Sequence, residues 1–119
     1  MRSLSLTLAL LLLPLASFGQ DAGLYTKALS AYNNGDFDTS AQLFFEVNNT
    51  ATDPDIRSKS EYYLASSFAK KNLPVTAFVY FAAILKAGKS HPFYLKSVEG
   101  LVNVQETLGD QYLDRKAHV

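Results

Sequence analysis

The chain has no cysteine, no tryptophan and only two histidines among its 119 residues. Without cysteine it can form no disulfide and offers no thiolate to a metal. His91 and His118 alone leave too few ligands for a zinc site. We therefore expect no metal and no cofactor, and a fold stabilised by apolar packing.

Long apolar runs are also absent, except at the start of the chain. The run from Leu4 to Leu15 has 12 residues, whereas a membrane-spanning helix needs about 20. Arg2 precedes it, and Ser17 and Gly19 follow at the small-residue positions of a signal-peptidase site. The pattern predicts a signal peptide over 1–19, with an uncleaved anchor as the alternative. It also predicts an exported protein, periplasmic or secreted, without a stable membrane span once the signal is removed.

The remaining residues, 20–119, have the length of one small domain. Formal net charge is zero, but residues 21–56 carry −5 and residues 57–96 carry +6. Because the basic stretch is short and follows an acidic one, we expect no nucleic acid partner. The asymmetry could orient a dipolar protein partner; the alternative is a solvated surface whose charges happen to cluster.

A turn signal recurs at a fixed spacing of 37 residues, at Gly35, Asn72 and Gly109. Each residue type tolerates left-handed backbone angles, and each follows an apolar pattern of helical period. The first two turns are each followed by a small residue and then an aromatic one, Phe44 or Phe81. We predict helices on both sides of every turn, with a fifth helix ending before Gly109 and a sixth beginning near Tyr112.

The spacing indicates three units, at approximately 22–54, 57–92 and 93–119. Pro54 closes the first unit, Pro74 opens the second helix of the next, and His91-Pro92 marks the last boundary. A helical hairpin of this size cannot bury its own apolar face, so copies must stack on one another. No alternating run supports a β-strand, and the predicted fold class is all-α.

These features resemble the tetratricopeptide repeat family, of the looser type found in exported bacterial proteins. The residues that carry the likeness are Ala28, Gly35-Asp36-Phe37, Phe44 and Pro54 in the first copy, Leu64-Ala65, Phe68, Asn72, Ala77, Phe81 and Pro92 in the second, and Leu101 and Gly109-Asp110 in the third. The period exceeds the family's usual 34 residues or so. The resemblance implies tandem antiparallel helix hairpins, an α-solenoid of about two and a half repeats.

In that family the first helix of each hairpin lines a concave surface. The resemblance implies a partner-binding groove formed by Tyr25, Leu29, Tyr32, Lys59, Tyr62, Ser66, Lys70, Lys96, Glu99 and Asn103. Exposed tyrosine beside lysine and serine suits peptide recognition; the alternative is an ordinary surface with Leu29 packed against a neighbour. Repeats that clamp a carboxylate terminus carry Lys and Asn where this chain has Tyr25 and Leu29, so it does not resemble them.

No arrangement of residues predicts catalysis. Asp36 and Asp38 fit turn and first-turn positions of a helix better than an acid–base pair, and no glycine-rich phosphate loop is present. The sequence therefore favours a non-catalytic scaffold that binds a protein or peptide. Two alternatives stay open: a self-assembling structural protein of the envelope, possible as a homo-oligomer, and the N-terminal part of a longer repeat protein or enzyme.

Overall fold

The structure is a computed structural model that describes residues 19–117. The signal peptide predicted over 1–19 lies almost entirely outside the described residues, as does His118. Within the described range the chain forms five helices and no strand, which confirms the all-α prediction. They are α1 (19–33), α2 (Phe37–Thr50), α3 (Pro54–Lys70), α4 (Pro74–Ala87) and α5 (Tyr94–Ala117).

The first two predicted turns are confirmed. Gly35 between α1 and α2 has φ +79°, and Asn72 between α3 and α4 has φ +62°. Both values lie in the left-handed region, which glycine and asparagine enter at least cost. Asp36 then caps α2, because its carboxylate accepts a hydrogen bond from the Thr39 backbone N–H at 3.2 Å. Pro54 and Pro74 lie in the first turns of α3 and α4, where a missing N–H is tolerated.

The third predicted turn is wrong. Gly109 lies inside α5, which continues without a break through Tyr112 and Leu113, so no sixth helix begins there. One glycine in a helix interior costs only about 1 kcal/mol relative to alanine. Arg115 and Lys116 in the last turn suit the negative end of the helix dipole. The glycine permits a turn here without requiring one, and the local helix preference prevails.

Buried apolar residues recur at the 37-residue spacing of the turns. Phe44 and Phe81 lie 37 residues apart, as do Val47 and Ile84, and all four are at most 2% exposed. Two neighbouring apolar clusters form the core, each drawing on α3. The first contains Ala28, Ala41, Phe44 and Leu64, and the second contains Ala65, Ala77, Phe81 and Val104. Because Leu64 and Ala65 are adjacent, α3 joins the two clusters into one interior.

Serine hydroxyls extend this interior where two helices approach closely. Ser40 of α2 and Ser67 of α3 are fully buried, and their Oγ atoms lie 2.8 Å apart. Ser67 also donates to the Tyr63 backbone carbonyl at 2.7 Å. Each hydroxyl therefore has a partner, as a buried polar group requires, and the small side chains keep the helix spacing short.

Candidate binding cleft between α3 and α5

The structure gathers seven of the ten predicted groove residues around one cleft of about 340 Å³. The cleft lies between α3 and α5, beside the end of α1. Its predicted members are Tyr32, Tyr62, Ser66, Lys70, Lys96, Glu99 and Asn103. The volume is at the lower end of the range for ligand sites, enough for one or two side chains of a partner.

The other three predicted residues lie elsewhere. Tyr25 and Leu29 pack against the first apolar cluster, and the Tyr25 ring meets the Phe44 ring edge-on at a centroid distance of 5.9 Å. Lys59 Nζ lies 2.8 Å from a carboxylate oxygen of Asp55, one helical turn earlier. The alternative considered for Leu29, packing against neighbouring residues, describes its position in the structure.

The floor of the cleft is apolar and was not predicted. It includes Pro74 and Phe81 of α4 and Gly100 and Val104 of α5. Phe81 was assigned to the core from its spacing, and it is only 2% exposed, yet its ring reaches the cleft beside Gly100. The positions of the floor residues depend on how α4 packs against α3 and α5, which no local pattern specifies.

One wall joins the two units through a hydroxyl pair. The Tyr32 hydroxyl lies 2.7 Å from Ser66 Oγ, linking the end of α1 to the middle of α3. Lys70 Nζ lies 6.0 Å from the centre of the Tyr32 ring and 5.6 Å from that of Phe37. These distances suit a cation held over aromatic faces. The wall thus presents an ammonium group in a defined position.

Tyr62 continues this wall one helical turn before Ser66 on α3. Its ring stacks on Phe93 with centroids 4.8 Å apart, and Lys96 Nζ lies 5.3 Å from the centre of the Phe93 ring. Burial raises the pKa of Tyr62, and the nearby hydroxyls of Tyr32 and Tyr63 and the Glu99 carboxylate raise it further, against a smaller opposing effect of Ser66. Tyr62 is therefore a neutral phenol that can donate or accept a hydrogen bond.

The rim carries more positive than negative charge. Within the described residues Lys70 and Lys96 make no ion pair, and Glu99 is the single carboxylate of the cleft lining. Lys71, just after Lys70, instead pairs with Asp38 at 2.9 Å outside the cleft. The arrangement can hold an apolar side chain on the floor while two ammonium groups and neutral polar groups contact a peptide backbone or a carboxylate.

His91 occupies a structural position outside this cleft. Its side chain is 5% exposed; Nδ1 accepts a hydrogen bond from the Phe93 backbone N–H at 3.1 Å, and Nε2 lies 3.2 Å from a Glu61 carboxylate oxygen. Because Nδ1 accepts, the proton of the neutral ring is on Nε2, which donates to Glu61. Nε2 thus ties the α4–α5 loop to α3, and Nδ1 holds the loop's own backbone at Phe93.

Residues 19–117 contain neither a candidate metal site nor a candidate membrane span. No cluster of three or more His, Cys, Asp or Glu side chains there has the geometry to hold a metal ion. None of the described helices combines the length and the apolarity that crossing a membrane requires. Comparison with known proteins finds no matching family model, no matching curated protein and no matching solved structure.

Proposed function

We propose that the chain is a non-catalytic helical-repeat module of tetratricopeptide type that binds a protein or peptide segment in the cleft between α3 and α5. One observation carries the proposal: an apolar floor bounded by Tyr62, by the Tyr32–Ser66 hydroxyl pair and by two lysines without an acidic partner. Such a combination supplies apolar contact for affinity and polar contacts for orientation.

The ligand class follows from the same groups. A peptide that places an apolar side chain over Phe81 and Gly100 would bring its backbone to Ser66, Tyr62 and Asn103. A carboxylate on that peptide would be attracted by Lys70 and Lys96. The mechanism is non-covalent, and no step of it requires a cofactor.

Export is part of the proposal and is supported by the first 19 residues of the sequence. Expression of the full-length gene product with a C-terminal tag, followed by cell fractionation and mass spectrometry, tests it. We expect a periplasmic or secreted protein beginning at Gln20. Full-length protein in the cytoplasm would contradict this part without bearing on the cleft.

The cleft itself is tested by selecting from a displayed library of random peptides on the purified protein. Affinities of the selected peptides would then be measured by fluorescence anisotropy. Lys96→Ala and Asn103→Ala remove exposed cleft side chains and should each weaken binding by about tenfold, which corresponds to the roughly 1.4 kcal/mol of a polar contact to a charged or well-placed group.

Lys86→Ala is the matched control, because Lys86 is an exposed lysine at the end of α4 outside the cleft lining. It should leave the affinity unchanged. The proposal would be overturned if no peptide could be selected. It would also be overturned if neither Lys96→Ala nor Asn103→Ala changed the affinity of the selected peptides.

A further inference from the structure

The cleft has a counterpart in the first unit, where the Tyr63 ring of α3 fills the equivalent position. Tyr63 stacks on Phe44 with ring centroids 5.3 Å apart and an interplanar angle of 15°. It also meets two rings of α1 edge-on, Tyr25 at 6.4 Å and Tyr32 at 5.1 Å between centroids. Stacked and edge-on contacts are the arrangements that aromatic pairs prefer. In the first unit, α3 therefore packs an aromatic ring of its own against Phe44.

The repeat spacing of 37 residues relates this ring cluster to the cleft. Phe44 corresponds to Phe81, which forms part of the cleft floor. Tyr25 corresponds to Tyr62 in the cleft wall. The two ring pairs also have nearly the same separation, with centroids 5.9 Å apart in the first unit and 6.1 Å apart in the second. The second unit thus repeats part of the environment that surrounds Tyr63.

The other two rings of the cluster have no equivalent in the second unit. Tyr63 corresponds to Gly100, which has no side chain. Tyr32 corresponds to Ala69, whose side chain is a single methyl group. Both replacements line the cleft of about 340 Å³. The space that the Tyr63 ring fills in the first unit is therefore open in the second, because neither position supplies a ring.

We propose that the cleft binds an aromatic side chain of its peptide partner, in the position that Tyr63 has in the first unit. The inference rests on the proposed function and specifies its ligand. The incoming ring lies against Tyr62 and beside Phe81, whose tip is already close to the backbone of Gly100. A ring in this place gains the quadrupole interaction of an aromatic pair in addition to apolar contact, whereas leucine or valine gains only the contact.

Charge on the rim specifies the residues beside that ring. Lys70 and Lys96 make no ion pair within the described residues, and each ammonium group lies near an aromatic ring that helps to position it. Glu99 is the single carboxylate of the cleft lining. Because complementary charges across an interface select the partner and its orientation, the bound segment is a tyrosine or phenylalanine flanked by aspartate or glutamate.

The peptides selected on the purified protein test this ligand class. They should carry a tyrosine or phenylalanine next to acidic residues. Replacing that ring by leucine should weaken binding at least fivefold by fluorescence anisotropy, and replacing the acidic neighbours by lysine should weaken it at least tenfold. Peptides that respond to Lys96→Ala yet bind equally well with leucine would overturn the inference and leave the proposed function standing. A selection that yields no peptide overturns both.

Isotope-filtered NMR of the labelled protein with an unlabelled selected peptide locates the ring. We expect nuclear Overhauser effects from the peptide ring to the rings of Tyr62 and Phe81 and to the backbone of Gly100. Effects confined to residues outside the cleft would overturn the placement.

Ala69→Tyr supplies, at the equivalent position, the ring that Tyr32 contributes in the first unit. It should occupy the cleft and weaken binding of the selected peptides at least tenfold. Ala69→Leu fills less of the cleft and should weaken binding at least threefold; it replaces the larger variant if circular dichroism shows that Ala69→Tyr does not fold. Ala83→Tyr is the matched control and should leave the affinity unchanged, because Ala83 is exposed on α4 and outside the cleft lining. Unchanged binding by a folded variant at position 69 overturns the inference.

Discussion

Gly100 of α5 lies so close to the Phe81 ring of α4 that a Cβ atom at position 100 would be 2.5 Å from Phe81 Cζ and 2.7 Å from Cε1. This approach lets α5 pack on α4 with one aromatic ring between them, and the same ring forms part of the cleft floor. Gly109, in the same helix, has nothing within 4 Å of its Cβ position. Alanine substitutions at the two glycines should therefore have opposite effects on stability.

Gly100→Ala should destabilise the fold. Alanine gains about 1 kcal/mol of helix propensity, but displacing a buried ring usually costs about 1–3 kcal/mol, so we expect a net loss of up to about 2 kcal/mol. Gly109→Ala should stabilise by about 0.5–1 kcal/mol. Urea unfolding in dilute solution measures both. Equal stabilisation by the two substitutions would show that Phe81 moves aside freely.

Substitutions in the two left-handed turns should differ in their effect on stability. Gly35→Ala should destabilise by about 1–2 kcal/mol, because a Cβ is strained at φ +79°. Asn72→Gly should be neutral or slightly stabilising, since asparagine already bears part of that strain at φ +62°. Thermal unfolding, monitored by circular dichroism, would compare the stabilities of the two variants. A neutral Gly35→Ala variant would mean that the α1–α2 turn relaxes into another conformation.

Asp21 predicts a loss of stability in acid. It is 8% exposed, and its carboxylate accepts hydrogen bonds from the backbone N–H groups of Thr52 and Asp53 and from the Thr52 hydroxyl, at 2.9–3.2 Å. Burial opposes ionisation, but these hydrogen bonds outweigh it and lower the pKa of Asp21 below its usual 3.8. The ionised group thus stabilises the fold above about pH 4, and this contribution is lost as pH falls through the lowered pKa.

Asp21→Asn should reduce stability at neutral pH and flatten its decline from pH 5 downward. Asp110→Asn, at an exposed position on α5, serves as the control and should keep the wild-type profile. Urea unfolding at several pH values provides the measurement. An Asp21→Asn profile parallel to that of the wild type would refute the role assigned to this carboxylate.

Tyr62 and Tyr25 predict a loss of stability in alkali. Burial raises the pKa of both phenols above the usual 10.0, and neighbouring tyrosines raise it further. A raised folded-state pKa means that the stabilisation is complete below pH 10 and is lost as pH rises through the raised value. Tyr62→Phe, which keeps the ring on Phe93, should lessen the alkaline destabilisation seen by circular dichroism. Tyr112→Phe, at a ring 56% exposed, should not.

The helices and two of the three turns could be predicted because their causes are local. Apolar period, an N-terminal proline and a residue suited to φ above zero act within a few positions, as at Gly35 and Pro74. Gly109 has the same residue type in a similar pattern, yet no turn forms. A glycine permits a turn but does not require one, and contacts between helices decide which of the two forms.

Part of the candidate site could likewise be predicted from the sequence, and part could not. Tyr62, Ser66 and Lys70 could be placed together because they share one face of α3, and the resemblance indicated that this face lines a groove. The floor could not be predicted, because Phe81 and Gly100 meet only when α4 and α5 pack. Tyr25 has the same spacing from Ala28 that Tyr62 has from Ala65, but it packs against Phe44 and Tyr63 of adjacent helices.

Local preferences encoded in the chain account for the all-helical class, the two left-handed turns and the 37-residue recurrence of buried positions, since each arises from the backbone preferences and apolar period of short segments. Packing of the helices sets which tyrosines line the cleft, how closely Gly100 approaches Phe81 and which residues of α5 remain exposed. Those outcomes depend on contacts between residues distant in the chain, whose free energy exists only once the helices have packed.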